Sequence, residues 1–166
     1  LARAFKGARL AIPEDLASRT EDSLRRAVLD RFGLEFRAGH LIMGSDRIAE
    51  QARGGGIAWL GHAADASEDG CRKLDQAFRV GMDAEGSDLR GTRLPLDRAA
   101  LSVALGRDNV VHLALADTVS AKRVAVPLGR LMRFTGATPV ADTASRPRSG
   151  GHGAYDGSDH AAMTTN

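Results

Sequence analysis

The feature that most constrains this chain is an alternation. Between Pro13 and Phe134, stretches whose apolar residues recur at helical spacing take turns with short apolar runs bounded by glycine and polar residues. Pro13 suits a first helical turn, Glu14 and Asp15 favour the positive end of a helix dipole, and Leu16, Leu24, Val28, Leu29 and Phe32 fall on one helical stripe. A helix is therefore expected from Pro13 to Arg37, broken or bent near Gly33. His40 to Met43 reads as a short strand closed by Gly44. Ser45 is expected to cap a second helix with Ile48, Ala49 and Ala52 inward, stopping at Gly54, Gly55 and Gly56. Ile57 to Leu60 is apolar enough for a buried strand, and Asp65-Ala66-Ser67-Glu68 has the spacing of a capping box for a third helix with Cys71, Leu74 and Phe78 on one face. Residues 81–91 read as a loop. Arg93 to Leu96 contains Pro95 and suits only an edge strand, because proline cannot donate to a central ladder. Asp97 is expected to cap a fourth helix with Ala100, Leu101, Ala104 and Leu105 as its apolar positions, ended by Gly106. Val110, Val111, Leu113 and Leu115 form the last strand, and Thr118 to Phe134 is a final helix that Pro127 should kink or split. Five helices alternating with four strands specify an α/β fold: a three-layer α/β/α sandwich, its four-stranded mixed sheet covered by helices on both faces. Trp59 and Val111 are expected on central strands, with Cys71 buried.

Outside residues 13–135 the pattern stops. From Gly136 to Asn166, small and polar residues dominate around one isolated aromatic, Tyr155. Such a segment cannot bury enough surface to offset its ordering entropy, so 136–166 is expected to be a disordered tail that adds nothing to stability. Residues 1–12 are expected to be a linker or the remnant of a preceding region. No run approaches the roughly 18 apolar residues that span a bilayer. The single cysteine cannot form an internal disulfide, and nothing at the start resembles a secretory signal, which suits a cytoplasmic protein with no membrane partner.

Of 23 basic residues, 20 are arginine, and the net charge is only +2. Arginine's planar fork fits phosphate, yet a GC-rich genome gives the same bias, so charge alone decides little. Catalysis finds no constellation. Cys71 with His62 could be imagined as thiol and base, but the helical phase of Cys71 points to a buried small hydrophobe. His40, His62, His112, His152 and His160 form no i, i+4 pair and have no cysteine at zinc spacing, so neither a metal nor another cofactor is expected. Gly54-Gly55-Gly56 precedes a strand, whereas phosphate loops follow one. Binding fares better. Gly44-Ser45-Asp46-Arg47 stands at a strand-to-helix junction, where free N–H groups and a dipole end meet Arg37, Arg47 and Arg53. Gly106-Arg107-Asp108-Asn109 is a second polar loop that a sandwich of this order can bring beside the first. The plain alternative for both is a solvated cap and a turn.

Phe32-Gly33-Leu34 with Arg37-Ala38-Gly39-His40-Leu41-Ile42-Met43-Gly44 resembles the opening of bacterial relatives of the kink-turn RNA-binding ribosomal proteins, the L-seven-Ae and L-thirty-e type. Ile57 to Ser67 resembles that family's second strand and the start of its third helix. Leu101 to Arg107 with Val110 to Leu115 resembles its helix, loop and final strand, so the likeness spans roughly residues 24 to 120 in order. Arg3-Ala4-Phe5-Lys6 is similar to the end of the small YlxR-type nucleic-acid-binding domain, which in some bacteria precedes this one and is encoded beside the transcription factor NusA. The resemblance implies a non-enzymatic RNA-binding protein of the transcription termination, antitermination or translation machinery. Its partner would be structured RNA or a ribonucleoprotein rather than a small-molecule substrate, bound through Gly44, Ser45, Asp46 and Arg47, with Gly106, Arg107 and Asp108 and the nearby Arg37 and Arg53. The chain departs from the family where kink-turn binders carry an Asn-Glu pair and, a turn later, a lysine. Here those positions hold Asp46-Arg47 and Glu50, and Ser102 stands where a glycine is usual. Asp46 accepts but cannot donate, and Glu50 puts a negative charge where a phosphate contact is expected. General RNA binding is therefore a firmer expectation than kink-turn specificity. A protein-docking module of the same fold is the alternative.

Overall fold

A computed structural model describes residues 13–137, and the expectations for the flanking segments lie outside the described residues. The elements follow in the expected order: α1 (Leu16–Arg37), β1 (Leu41–Met43), α2 (Ser45–Arg53), β2 (Trp59–His62), α3 (Glu68–Gly81), β3 (Thr92–Arg93), α4 (Arg98–Leu105), β4 (His112–Leu115) and α5 (Thr118–Thr135). The sheet runs β1-β4-β2-β3, with β4 antiparallel to both of its neighbours and β3 parallel to β2. No helix among the described residues is long and apolar enough to cross a membrane.

Alternation along the strands explains the two helical layers. Leu41, Leu113 and Leu115 point to one face, where they pack with Val28 and Phe32 of α1, Leu101 and Leu105 of α4, and Val124, Leu128 and Leu131 of α5. Ile42, Leu60 and Ala114 point to the other, against Ile48 and Ala52 of α2 and Leu74, Ala77 and Phe78 of α3. A strand apolar on both faces has to be covered twice, which is what the unbroken apolar runs in the sequence encode. On the first face the Trp59 ring lies over Gly61, leaving no space for a Cβ there. The α2 and α3 layer closes equally tightly: a Cβ on Gly81 would stand 1.7 Å from the Ala52 carbonyl oxygen.

Several local expectations are corrected. Helix α1 runs unbroken through Gly33, because Phe32 and Gly33 are both buried and packing outweighs glycine's roughly 1 kcal/mol helix penalty. Pro127 does not split α5. Buried Val124 on one side and Leu128, Leu131 and Met132 on the other hold both halves against the same layer, and the carbonyl deprived of its bond belongs to the exposed residue Arg123. Ser45 is the first helical residue rather than the cap. Gly44 holds that position at φ 92°, with no side-chain bond to the amides beyond it. Of the expected capping box, Ser67 caps α3 through Gly70 N–H, whereas Asp65 accepts from the amide and guanidinium of Arg98 at the start of α4. Strand β2 begins two residues later than expected, and β3 is confined to Thr92 and Arg93, ahead of buried Leu94 and Leu96. Val111 lies just before β4 and not on it, although its carbonyl still accepts from Ala63 N–H at 2.8 Å. Trp59 lies on central β2, Cys71 is buried, and Asp97 and Gly106 cap α4 as expected.

Candidate functional site

The connections at one end of the sheet decide where chemistry can occur. Strand β1 leaves the sheet at Met43, turns at Gly44 in a backbone region that favours glycine, and enters α2 with its first amides uncapped by any side chain. Next to it in the sheet, β4 is preceded by the Gly106–Val111 segment, which begins at the left-handed Gly106. Because β1 and β4 pair antiparallel, the exit of one strand and the entry of the other meet at the same end. Together they line a cleft of about 850 Å³, with Met43, Gly44, Ser45 and Arg47 on one side and Arg107, Asp108, Asn109 and Val110 on the other. The two loops expected to be neighbours are neighbours.

Charge in the cleft is uneven. Arg98, which the sequence reading missed, lies in it but is engaged: its Nε donates to Asp65 at 2.7 Å and its Nη1 to Asn109 at 3.3 Å. The bonds that Arg98 donates to Asp65, from its amide first and then from its guanidinium, hold the Asp65 carboxyl below its usual range. Arg107 stacks on Phe36 with its guanidinium carbon 5.5 Å from the ring centroid. Neither Arg47 nor Arg107 has an ion-pair partner among the described residues. The remaining expected residues lie elsewhere. Arg37 folds back along α1 toward Gly33, and Asp46 and Arg53 line a shallower hollow between α2 and α3 with Arg72 and Lys73. Glu50 is exposed one turn beyond Arg47 and outside the cleft lining.

Beneath the cleft floor is a cluster whose parts no sequence spacing joins. His62 of β2 and His112 of β4 are directly opposite in the antiparallel register, both facing α3, with their Nδ1 atoms 2.9 Å apart. His62 Nε2 lies 3.0 Å from the Asp75 Oδ1, which also accepts from Gly91 N–H at 2.7 Å. The carboxylate has no proton to give, so His62 carries a hydrogen on Nε2, and one hydrogen lies between the two Nδ1 atoms. Burial first, then neighbouring positive charge, pushes His112 down to about 4, so it is neutral at pH 7. Burial raises the Asp75 carboxyl, but bonds from His62 and Gly91 outweigh it and leave the group below its ordinary value. Cys71, one turn before Asp75 on α3, joins the two imidazoles, and burial pushes its thiol up. The expected buried small hydrophobe is therefore also a polar neighbour of both histidines, a grouping that no i, i+4 pair or zinc spacing in the sequence announces. The signal missed was the β2–β4 register, a long-range property.

No protein-family model matches the chain, and no curated protein is significantly similar to it. Among solved structures, a protein of unknown function from Bacillus halodurans is similar over 61% of this chain and 96% of its own, with 22% identity and a TM-score of 0.50. The Giardia lamblia 15.5kD RNA binding protein is similar over 68% of this chain and 88% of its own, with 16% identity and a TM-score of 0.41. The first likeness shows that the fold recurs in another protein.

Proposed function

We propose that this chain is a non-enzymatic, cytoplasmic RNA-binding protein of kink-turn-binder-like fold, serving the transcription or translation machinery, and that it grips RNA in the cleft between Gly44–Arg47 and Gly106–Asn109. The observation that carries the reading is the pairing of an uncapped helix start with Arg47 and Arg107, neither of which has an ion-pair partner among the described residues. Backbone amides at a helix start and arginine forks are the two donor types that phosphate oxygens accept from most readily. Phe36 adds an aromatic surface on which Arg107 is already aligned. The reading needs no nucleophile, and the one thiol nearby is kept protonated by burial. Sequence-general backbone contacts suit a site that lacks the family's Asn-Glu pair. On this reading Arg37 and Arg53, outside the cleft, contribute only through long-range attraction.

The test is a salt titration of binding to a kink-turn RNA and to a plain duplex. Affinity should fall steeply with salt, because each neutralised phosphate releases counterions. Arg47→Ala and Arg107→Ala should each weaken binding by about 1–2 kcal/mol and lower the salt slope by roughly 1. Glu50→Lys should strengthen it. Absence of binding at low salt, or affinity indifferent to both arginines, transfers the cleft to the protein-docking reading.

A further inference from the structure

We propose that His62, His112 and Cys71 form a site for one divalent transition-metal ion of the zinc type, held from behind by Asp75. One donor atom from each of the three residues lies within 4.8 Å of the others, and all three residues are buried. The donors come from two adjacent central strands and the helix that covers them, so rigid elements position each one. Two imidazoles and a thiolate are a borderline-soft set that suits zinc, which takes four ligands; three from protein leave one position for solvent or a bound group.

The second shell is the more telling observation. Metal-binding histidines characteristically donate their other ring N–H to a carboxylate, which fixes the tautomer and turns the free nitrogen toward the ion. Asp75 does this to His62 and is itself anchored by Gly91 N–H. Cys71 and Asp75 are four residues apart on α3, so one turn of helix supplies both a ligand and the support of another ligand. Space has been left for the rings as well. A Cβ on Gly91 would stand 2.4 Å from His62 Nε2, and one on Gly70 would stand 3.1 Å from His112 Nε2. The net charge also closes, since a dication balances one thiolate and the Asp75 carboxylate, a condition a buried site must meet. Arg93 and Glu68, paired with each other, act on the cluster from outside, as do Arg98 on His112 and Arg79 on Asp75.

Binding replaces the proton now shared by the two Nδ1 atoms. Three bonds form, from the ion to both Nδ1 atoms and to Sγ. The Cys71 S–H breaks and its proton goes to solvent, while the hydrogen between the two Nδ1 atoms moves to His112 Nε2. His112 and Gly70 line the cleft, which gives both the ion and the proton a route. Two nitrogens at ~2.0–2.1 Å from one tetrahedral ion are ~3.3 Å apart, so the rings must separate by a few tenths of an ångström and turn until both lone pairs converge on the ion. This inference stands apart from the RNA reading, which survives its failure.

The full chain, reduced and stripped with chelator, is titrated with Co(II). The expected result is one ion per chain, a thiolate-to-cobalt charge-transfer band, intense visible bands of four-coordination, and release of one proton. Zn(II) should bleach the spectrum. Cys71→Ser should abolish the charge-transfer band, and Asp75→Asn should keep it while weakening affinity roughly 10–100-fold. The double variant His152→Ala with His160→Ala should behave as wild type. A wild-type spectrum without the charge-transfer band overturns the site whether or not any variant folds. So does cobalt affinity that Cys71→Ser leaves unchanged, or binding that disappears with His152 and His160.

Discussion

Glu35 offers the sharpest test of how the cleft wall is held. Its side chain is 3% exposed, yet it is a carboxylate, and it accepts from Arg123 Nε at 2.7 Å and from Arg123 Nη2 at 2.8 Å across the α1–α5 contact. Arg31 lies 3.8 Å away on the same helix. The next residue, Phe36, lines the cleft and carries Arg107, so the clasp fixes the end of α1 where the cleft begins. Replacing Glu35 by glutamine keeps the shape but removes the charge and turns an amide N–H₂ toward one of the two guanidinium donors. One charge-assisted bond becomes donor against donor, and the other weakens because only the guanidinium still carries a charge. A hydrogen bond to a charged group contributes roughly 1.5–3 kcal/mol. Arg123 is 40% exposed and can turn its orphaned donors to water, and the carboxylate's own desolvation cost disappears, so the net loss should lie near ~2 kcal/mol. In a domain of this size that is a fall of roughly 6–10 °C in melting temperature.

The pH dependence separates this account from simple packing loss. The bonds from Arg123 hold the Glu35 carboxyl below its usual value despite burial. A carboxyl whose folded pKa lies below its unfolded value adds stability that is complete above the unfolded value and is lost as pH falls through the folded one. Wild type and Glu35→Gln should therefore differ most at neutral pH and converge as the solution is acidified below the carboxylate range. Arg123→Ala should be worse than Glu35→Gln at pH 7, since it strands the carboxylate in the interior, and should recover relative to wild type on acidification. Urea unfolding across that pH range reads all three proteins. If Glu35→Gln stays within ~0.5 kcal/mol of wild type, or its deficit is the same at every pH, the clasp is not an electrostatic one.

Gly91→Ala should cost several kcal/mol, roughly 3–5, because the new methyl would displace the buried His62 ring and break its bonds to Asp75 and His112; urea unfolding that shows less than ~1 kcal/mol would refute that packing. Gly81→Ala should be at least as damaging, since the obstacle is the Ala52 backbone carbonyl and no rotamer change relieves it. A native-like thermal midpoint in that variant would refute the close approach of α2 and α3. Asp97→Ala should lower stability by about 1 kcal/mol through loss of its bond to Ala100 N–H, read in the same urea assay.

Element order was legible because periodicity is local: each helix and strand announces itself within a dozen residues, and the compositional break at Gly136 marks where the pattern stops. What failed was the effect of neighbours on a single local signal. Gly33 and Pro127 read as breaks on propensity alone, yet both sit inside helices whose buried stripes continue on either side, and the layer against which they pack outweighs a preference of about 1 to 3 kcal/mol. Asp65 read as part of a cap because the spacing to Glu68 fits. In space its carboxylate is claimed by Arg98, 33 residues on. Strand limits shifted by one or two residues for the same reason: the register is set by the partner, so Ile57 and Ala58 gave way to Gly61 and His62, which face Leu113 and His112.

The cleft and the histidine cluster divide along that line. Both loops of the cleft were visible because a glycine followed by a polar, arginine-bearing turn is a local signature, and the alternating order brings the ends of β1 and β4 to one side. The cluster was invisible because it depends on which strands are neighbours. With β4 between β1 and β2, His112 is opposite His62; had β4 taken an edge beside β3, the two rings would not meet. The same central strand that delivers the Gly106–Asn109 loop to the cleft therefore delivers His112 to the floor beneath it. A shift of β4 between its two neighbours would move both at once: the register of Leu41 with Leu115 fixes one loop against the other, and the register of His62 with His112 fixes the spacing of the imidazoles.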